Sequence, residues 1–306
     1  MSTNEDRRAE ARRRLREQME AQARRERQLR ITAGAVVAVL VLGLVGFVAW
    51  KKYDEKQQRI HAENWTSCEY AASTPPEKVD PKQVEAQGGP EMVKQAEAYN
   101  KQIDEAEKNK RTGQAPTGEQ PKKGTEAVTL TFGSGAVPLT IDNAKAPCNA
   151  ASFVGLVEQG YFDETPCHRI TVDGEKEGLA VVQCGDPTGT GVSGPGYKVV
   201  DEPPTDLASS PKGQGSLYPR GTVAMAKSQE KDSAGSQFFL VYQDTTLPPE
   251  YSVIGTVGEP GLAVVDGIVK GGIKSTDQNN PDYQKPKKPV VIDRATVDSK
   301  DGIPPA

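Results

Sequence analysis

Only two histidines, His61 and His168, occur in the 306 residues. With so few imidazoles and no Cys-x-x-Cys spacing, the chain has little from which to build a zinc site or a dithiol redox couple. It also lacks a Gly-x-Ser-x-Gly string, which removes the serine-hydrolase elbow. Aromatic residues make up 6% of the chain, and no basic stretch interleaved with aromatics follows residue 30, so nucleic acid is not an expected partner. The string Gly189-Thr-Gly-Val-Ser-Gly194 has the spacing of a dinucleotide fingerprint. Asp186-Pro187-Thr188 precedes it and Pro195-Gly196 follows, so the strand before and helix after that phosphate binding requires are missing. No cofactor and no metal are expected.

Present instead is a marked asymmetry of charge. Residues 1–30 contain ten Arg and six acids; against totals of 38 bases and 42 acids, the remainder holds 28 bases and 36 acids. Residues 1–30 read as a solvated, Arg-rich cytoplasmic tail with no apolar face to bury, and a basic segment there also suits anionic headgroups. Ile31 to Trp50 then carries no charge. At about 1.5 Å per residue this run spans roughly 30 Å as a helix, the thickness of a bilayer core, and Trp50 suits the interfacial belt. The competing reading is a cleaved signal peptide. The long polar lead and Phe47, where cleavage two residues on would want a small side chain, favour an uncleaved anchor at 31–50. Arg24, Arg25, Arg27 and Arg30, backed by Arg12 to Arg16, outweigh the bases after the span, so the N-terminus is expected inside and the bulk outside.

Residues 51–123 read as an extracytoplasmic stalk or linker. Pro75-Pro76, Pro81 and Gly88-Gly89-Pro90 break any long element, and 110–121 reads as flexible linker. One helix from Glu91 to Lys108, with a narrow stripe at Val93, Ala96, Tyr99, Ile103 and Ala106, is either part of a semi-ordered spacer or docks on the domain. From about residue 124 the pattern becomes that of strands. A hairpin is expected at 127–132 and 137–141, with further strands at 167–172, 179–183, 222–225, 237–242, 252–257 and 289–297. Two short helices are expected at 147–159 and 261–270, with Phe153, Leu156 and Val157 on one buried stripe and Leu262, Val265 and Ile268 on the other. Thirty glycines and 23 prolines fit this loop-rich, mainly β composition, which argues for a closed barrel or a sandwich.

Three segments carry chemistry: Cys167-His168-Arg169-Ile170, Val182-Gln183-Cys184-Gly185-Asp186-Pro187, and Gly235-Ser236-Gln237-Phe238-Phe239-Leu240. In this order they resemble the cyclophilin family of peptidyl-prolyl isomerases. Asp186-Pro-Thr-Gly-Thr-Gly191 and Tyr218-Pro-Arg-Gly-Thr-Val-Ala-Met225 are similar to bacterial, envelope-anchored members. The resemblance implies an eight-stranded antiparallel barrel capped by two helices over 124–300, preceded by one transmembrane helix and a stalk. It implies isomerisation of prolyl bonds in secreted or envelope proteins, with Arg169 as electrostatic catalyst, Gln183 on the backbone beside the proline and Phe239 flooring the proline pocket. Val181, Ala226, Gln237, Leu247 and Tyr251 would line the substrate site.

Departures from the family pattern define a second reading, a non-catalytic module or chaperone that clasps proline-containing segments. An insertion at 172–178 lengthens the path from Arg169 to Gln183. An aromatic near Ala180 is missing, Lys227 stands for a usual Asn, Thr246 for a common Trp and Tyr251 for a common His. Loss of the Trp contact implies weak cyclosporin binding. The four cysteines allow three pairings, or free buried thiols. Cys167 with Cys184, on strands expected to be neighbours, and Cys68 with Cys148 is the preferred combination.

Overall fold

The computed structural model describes residues 4–171, 178–210, 215–276 and 283–303. The insertion at 172–178 thus lies, apart from Gly178, outside the described residues. Two compact units divide the chain, one ending at Ala62 and one beginning at Glu63.

The first unit is helical. Helix α1 (Asn4–Asn64) holds the apolar run, with Val39, Leu42 and Leu44 all more than 60% exposed. Its most apolar window has a mean hydropathy of 2.6, and by length and composition the helix can cross a membrane. The helix continues past the run to Asn64, so the start of the segment read as stalk is helical.

Residues 63–123, read as stalk and flexible linker, belong to the same unit as the barrel. They form β1 (Trp65–Ser67), β2 (Tyr70–Ala72), α2 (Pro81–Asn109) and β3 (Glu119–Pro121). The local signal pointed to a spacer because the attachments are all long-range. Cys68 is bonded to Cys148 across 80 residues, a loop whose closure contributes about 4.5 kcal/mol in the chain-entropy account. Helix α2 breaks where the sequence demands, at Gly89 (φ 70°) before Pro90, and buries Ala96, Ile103 and Ala106, three positions of the narrow stripe.

The barrel follows in chain order as β4 (Thr125–Phe132), β5 (Gly135–Asp142), α3 (Pro147–Glu158), β6 (Thr165–Pro166), β7 (Arg169–Ile170), β8 (Val181–Cys184), β9 (Tyr197–Val199), β10 (Ser216–Tyr218), β11 (Thr222–Met225), β12 (Phe238–Val241), β13 (Thr245–Leu247), β14 (Val253–Val257), α4 (Glu259–Lys270) and β15 (Val291–Asp301). The main ladder runs β6-β15-β4-β5-β14-β11-β12-β8-β7. Its two ends are halves of one short segment. β6 pairs with β15, β7 pairs with β8, and between them the Cys167 N–H donates to the Val290 carbonyl at 2.8 Å. Nine strands, two of which share a segment, therefore make a closed barrel of eight, which removes the exposed sheet edges.

Alternation builds the interior. Val128, Leu130 and Phe132 of β4 point inward, as do Val137, Leu139 and Ile141 of β5. Helix α3 sends Phe153 onto Phe238 (centroids 5.1 Å apart) and Phe162 (5.3 Å). No local side chain caps its start. The Glu202 carboxylate does so instead, accepting from the backbone N–H groups of Cys148 (3.1 Å) and Asn149 (2.9 Å). Helix α4 buries Leu262, Val265 and Ile268. Strands β2, β9, β10 and β13 have three residues each, too short for a period-two pattern to mark them in the sequence.

Candidate functional site

The register of three neighbouring strands brings the chemistry-bearing segments together. Arg169 of β7 lies opposite Gln183 of β8, and Gln183 opposite Phe239 of β12. Each pair sits at one level of the antiparallel ladder, where facing side chains are closest.

A chain of hydrogen bonds runs along this face. The Arg169 Nη1–H donates to Gln183 Oε1 at 3.4 Å, and its Nε–H to Gln284 Oε1 at 2.6 Å. Gln183 Nε2 donates to Gln237 Oε1 at 3.0 Å, and Gln237 Nε2 to the carbonyls of Gly191 (2.9 Å) and Ser193 (3.0 Å). Those carbonyls are held in turn by buried Asp186. Its carboxylate accepts from the backbone N–H groups of Thr188, Gly191 and Ser193 and from the hydroxyls of Thr188 and Thr190. Gly185, at φ 94°, turns the chain out of β8 into this loop. A Cβ there would lie 2.2 Å from the Ser236 carbonyl oxygen, so glycine is required.

Beside the polar row lies an apolar cup. Phe239 belongs to a cluster separate from the barrel core, with Val181, Tyr218, Ala224, Val241 and Val253. Ala226, Leu247 and Tyr251 pack on its edge, and the Phe239 and Tyr251 rings meet edge to face at 5.5 Å. Phe238, one residue earlier, faces the barrel core. The structure thus brings together every residue the resemblance nominated, in two groups. Arg169, Gln183 and Gln237 form the polar row; Phe239, Val181, Ala226, Leu247 and Tyr251 form the cup.

The departures are absorbed structurally. Lys227 makes an ion pair with Asp201 at 2.8 Å, with both side chains largely buried. The Thr246 hydroxyl is hydrogen-bonded to that of Ser210. Ala180 and Val181 are buried, and the Ala180 N–H donates to Thr245 Oγ1 at 2.9 Å.

Two residues at this face were not singled out as site residues. Gln284, buried and in a left-handed conformation (φ 57°), holds the Arg169 guanidinium from 115 residues away, and no local motif marks it. His168 precedes Arg169. Burial pushes its pKa down to about 4, against the opposing pull of Asp186 and with a smaller push from Arg169, so the ring is neutral at pH 7. The disulfide Cys167–Cys184 ties β7's approach to the end of β8, and Cys68–Cys148 ties the N-terminal segment to α3.

Comparison with known proteins bears on this geometry. Residues 127–297 match the family described as cyclophilin type peptidyl-prolyl cis-trans isomerase/CLD. A "Probable peptidyl-prolyl cis-trans isomerase B" of Mycobacterium leprae is 44% identical over 191 residues, which are 61% of this chain and 61% of that protein. The chain therefore spans less than two thirds of that relative's length. A "Peptidyl-prolyl cis-trans isomerase A" of Dickeya dadantii is 31% identical over 56% of this chain and 85% of its own. A solved cyclophilin-type isomerase of Cryptosporidium parvum superposes with a TM-score of 0.43 at 22% identity, covering 57% of this chain and 98% of that one. With the family match extending over more than half of its residues, and with a relative above 30% identity matched over most of its own length, the chain belongs to the cyclophilin-type peptidyl-prolyl cis-trans isomerase family.

Proposed function

We propose that this chain is a membrane-anchored peptidyl-prolyl cis-trans isomerase acting on secreted or envelope proteins outside the cytoplasm. The observation that carries the reading is the side-by-side placement of the Arg169–Gln183–Gln237 row and the Phe239 cup on neighbouring strands. Rotation about a peptide bond faces a barrier of about 18–20 kcal/mol because the nitrogen lone pair is delocalised into the carbonyl. No covalent bond is made, so no nucleophile or general base is needed. A cationic donor directed at the prolyl nitrogen draws the lone pair out of resonance and lowers the barrier.

Arg169 meets that requirement. Its guanidinium is always charged and presents donors in a planar fork. Gln284 and Gln183 fix that fork before substrate arrives, so little reorganisation accompanies the reaction. Neutral His168 adds no competing positive charge beside it. Phe239, with Ala226, Leu247 and Tyr251, would offer the proline ring an apolar seat, and Gln183, opposite Phe239 on the next strand, would hydrogen-bond the flanking backbone.

The anchor belongs to the same proposal. Helix α1 is long and apolar enough to cross a membrane, and the arginines before residue 31 favour an N-terminus on the cytoplasmic side. Two disulfides in the folded unit suit an oxidising compartment. The proposed division is thus a cytoplasmic tail at 1–30, an anchor at 31–50, and an extracytoplasmic remainder whose family domain occupies 124–300.

The test is exchange NMR on an Ala-Pro peptide with the full chain in detergent micelles. Wild type accelerates exchange, and Arg169→Ala lowers kcat/KM by about 100-fold, a factor typical of losing one preorganised donor, with the melting temperature unchanged. A folded wild type that leaves exchange at the buffer rate would favour the clasping module instead, a reading suggested by the altered positions Ala180, Lys227, Thr246 and Tyr251.

A further inference from the structure

The polar row is partly covered and partly open to solvent. Helix α2 lies across it, and two clefts open between helix and barrel. One, of about 510 Å³, has Pro75, Tyr99 and Ile103 on the helix side and Pro195, Ala226 and Gln237 on the barrel side. The other, of about 890 Å³, has Lys94, Ala98 and Tyr99 facing His168, Arg169 and Gln284. Tyr99, Gln183 and Gly191 line both, so the clefts meet beneath the Tyr99 side chain, next to the proposed catalytic row.

This wall is held at both ends. Before α2, Cys68 is bonded to Cys148, β2 pairs with β9, and the Ser73 N–H donates to the Gly196 carbonyl at 3.0 Å. The chain from there to the helix is tied back by Asn100, whose amide bonds both the N–H and the carbonyl of Val79, and by the Lys78–Asp104 ion pair at 2.6 Å. After α2, Arg111 donates to the Tyr161 and Asp163 carbonyls, and the Gly113 N–H to the Pro195 carbonyl at 2.9 Å. The spaces left between wall and barrel have the size of ligand sites.

We infer that α2 is the second wall of the substrate groove and that Tyr99 is a specificity-determining residue. On this view the polypeptide flanking the prolyl bond passes as an extended segment between α2 and the barrel face, and Tyr99 contacts an apolar residue beside the proline. The inference rests on the isomerase reading for its substrate, yet the residues that carry it lie before residue 127, where the family match begins. The occupant is an extended chain because Ala226, at the edge of the Phe239 cluster, also lines the cleft that passes Gln183 and reaches Tyr99. The apolar preference is local to Tyr99, where Ile103 and Pro195 also border a cleft otherwise lined largely by polar and charged residues. A proline on a tight loop of a folded protein could reach the cup but could not thread beneath the helix.

The test compares a short blocked Ala-Pro peptide with a longer one carrying the same core flanked by leucine. The protein is the full chain in detergent micelles, as wild type, Tyr99→Phe, Tyr99→Ala and Ala98→Arg. Dissociation constants come from titration and turnover from exchange NMR. Tyr99→Ala is expected to weaken the longer peptide roughly tenfold, the loss typical of an aromatic anchor, through KM and with kcat kept. The short peptide is unaffected, and Tyr99→Phe stays near wild type. Ala98→Arg, which fills the passage rather than emptying it, discriminates against the longer peptide in the same way and serves as the readout if Tyr99→Ala fails to fold. Equal effects on both peptides, no effect on either, or faster turnover of the longer peptide once Tyr99 is removed would overturn the inference, the last result marking α2 as a lid. If wild type accelerates neither peptide, the isomerase reading fails, and the dissociation constants alone still decide whether α2 is a binding wall.

Discussion

Phe238 and Phe239 are neighbours on one strand and work in different places. Phe238 is fully buried among Phe153, Phe162 and the barrel interior, while Phe239 faces the smaller cluster with Tyr251 on its edge. A strand turns successive side chains to opposite faces, so one closed barrel offers an inner surface for stability and an outer one for a site. The interior is an aromatic stack locked by a helix. The outer cup is floored by the same strands but completed by loops and by β13, with Ala226, Leu247 and Tyr251 only partly buried at its edge. Adjacent residues of the same type can therefore fail in different ways when truncated.

The sharpest division is expected from Phe238→Ala. Removing a ring at the centre of the α3–barrel contact should cost about 3–5 kcal/mol, measured by denaturant unfolding. A loss near zero would mean that the inner cluster is not the structural one.

Next in size is a pH effect at His168. Its folded pKa of about 4 lies below the ordinary 6.5, so the unfolded chain takes up the proton first as pH falls. Stability present in full above about pH 6.5 is lost between there and pH 4, by up to about 3 kcal/mol. His168→Gln should flatten that part of the stability profile. An unchanged slope in the variant would assign the acid sensitivity to other groups.

Smallest in stability is Phe239→Leu, a swap that keeps apolar volume and should cost less than about 1.5 kcal/mol. Its expected effect is on the site, as a roughly tenfold weaker kcat/KM for prolyl peptides at an unchanged melting temperature, since part of an aromatic seat is lost. If Phe239→Leu instead destabilises as much as Phe238→Ala, the two surfaces are not separable.

The hairpin at 125–142 and the helices at 147–158 and 259–270 were legible in the sequence because each signals itself locally. Val128, Leu130 and Phe132 alternate, Pro147 opens the first helix, and Leu262, Val265 and Ile268 recur at helical spacing in the second. Likewise the uncharged run from Ile31 announces a helix long enough to span a bilayer, because a bilayer imposes a length that composition alone can meet. The site segments were readable as strings, and their meeting was expected from the family resemblance, not from the residues themselves. Which of two phenylalanines faces the cup depends on strand register, and only the β7-β8-β12 pairing places Arg169, Gln183 and Phe239 in one row. Gln284 reaches Arg169 across 115 residues, Glu202 caps α3 from outside it, and Cys68 with Arg111 fastens a segment whose composition reads as linker. Local patterning determined the elements, since periodicity and chain stiffness act over a few residues. Closure of the barrel, the orientation of the arginine and the placing of α2 over the groove were decided by contacts between residues far apart in the chain, which no short stretch of sequence encodes.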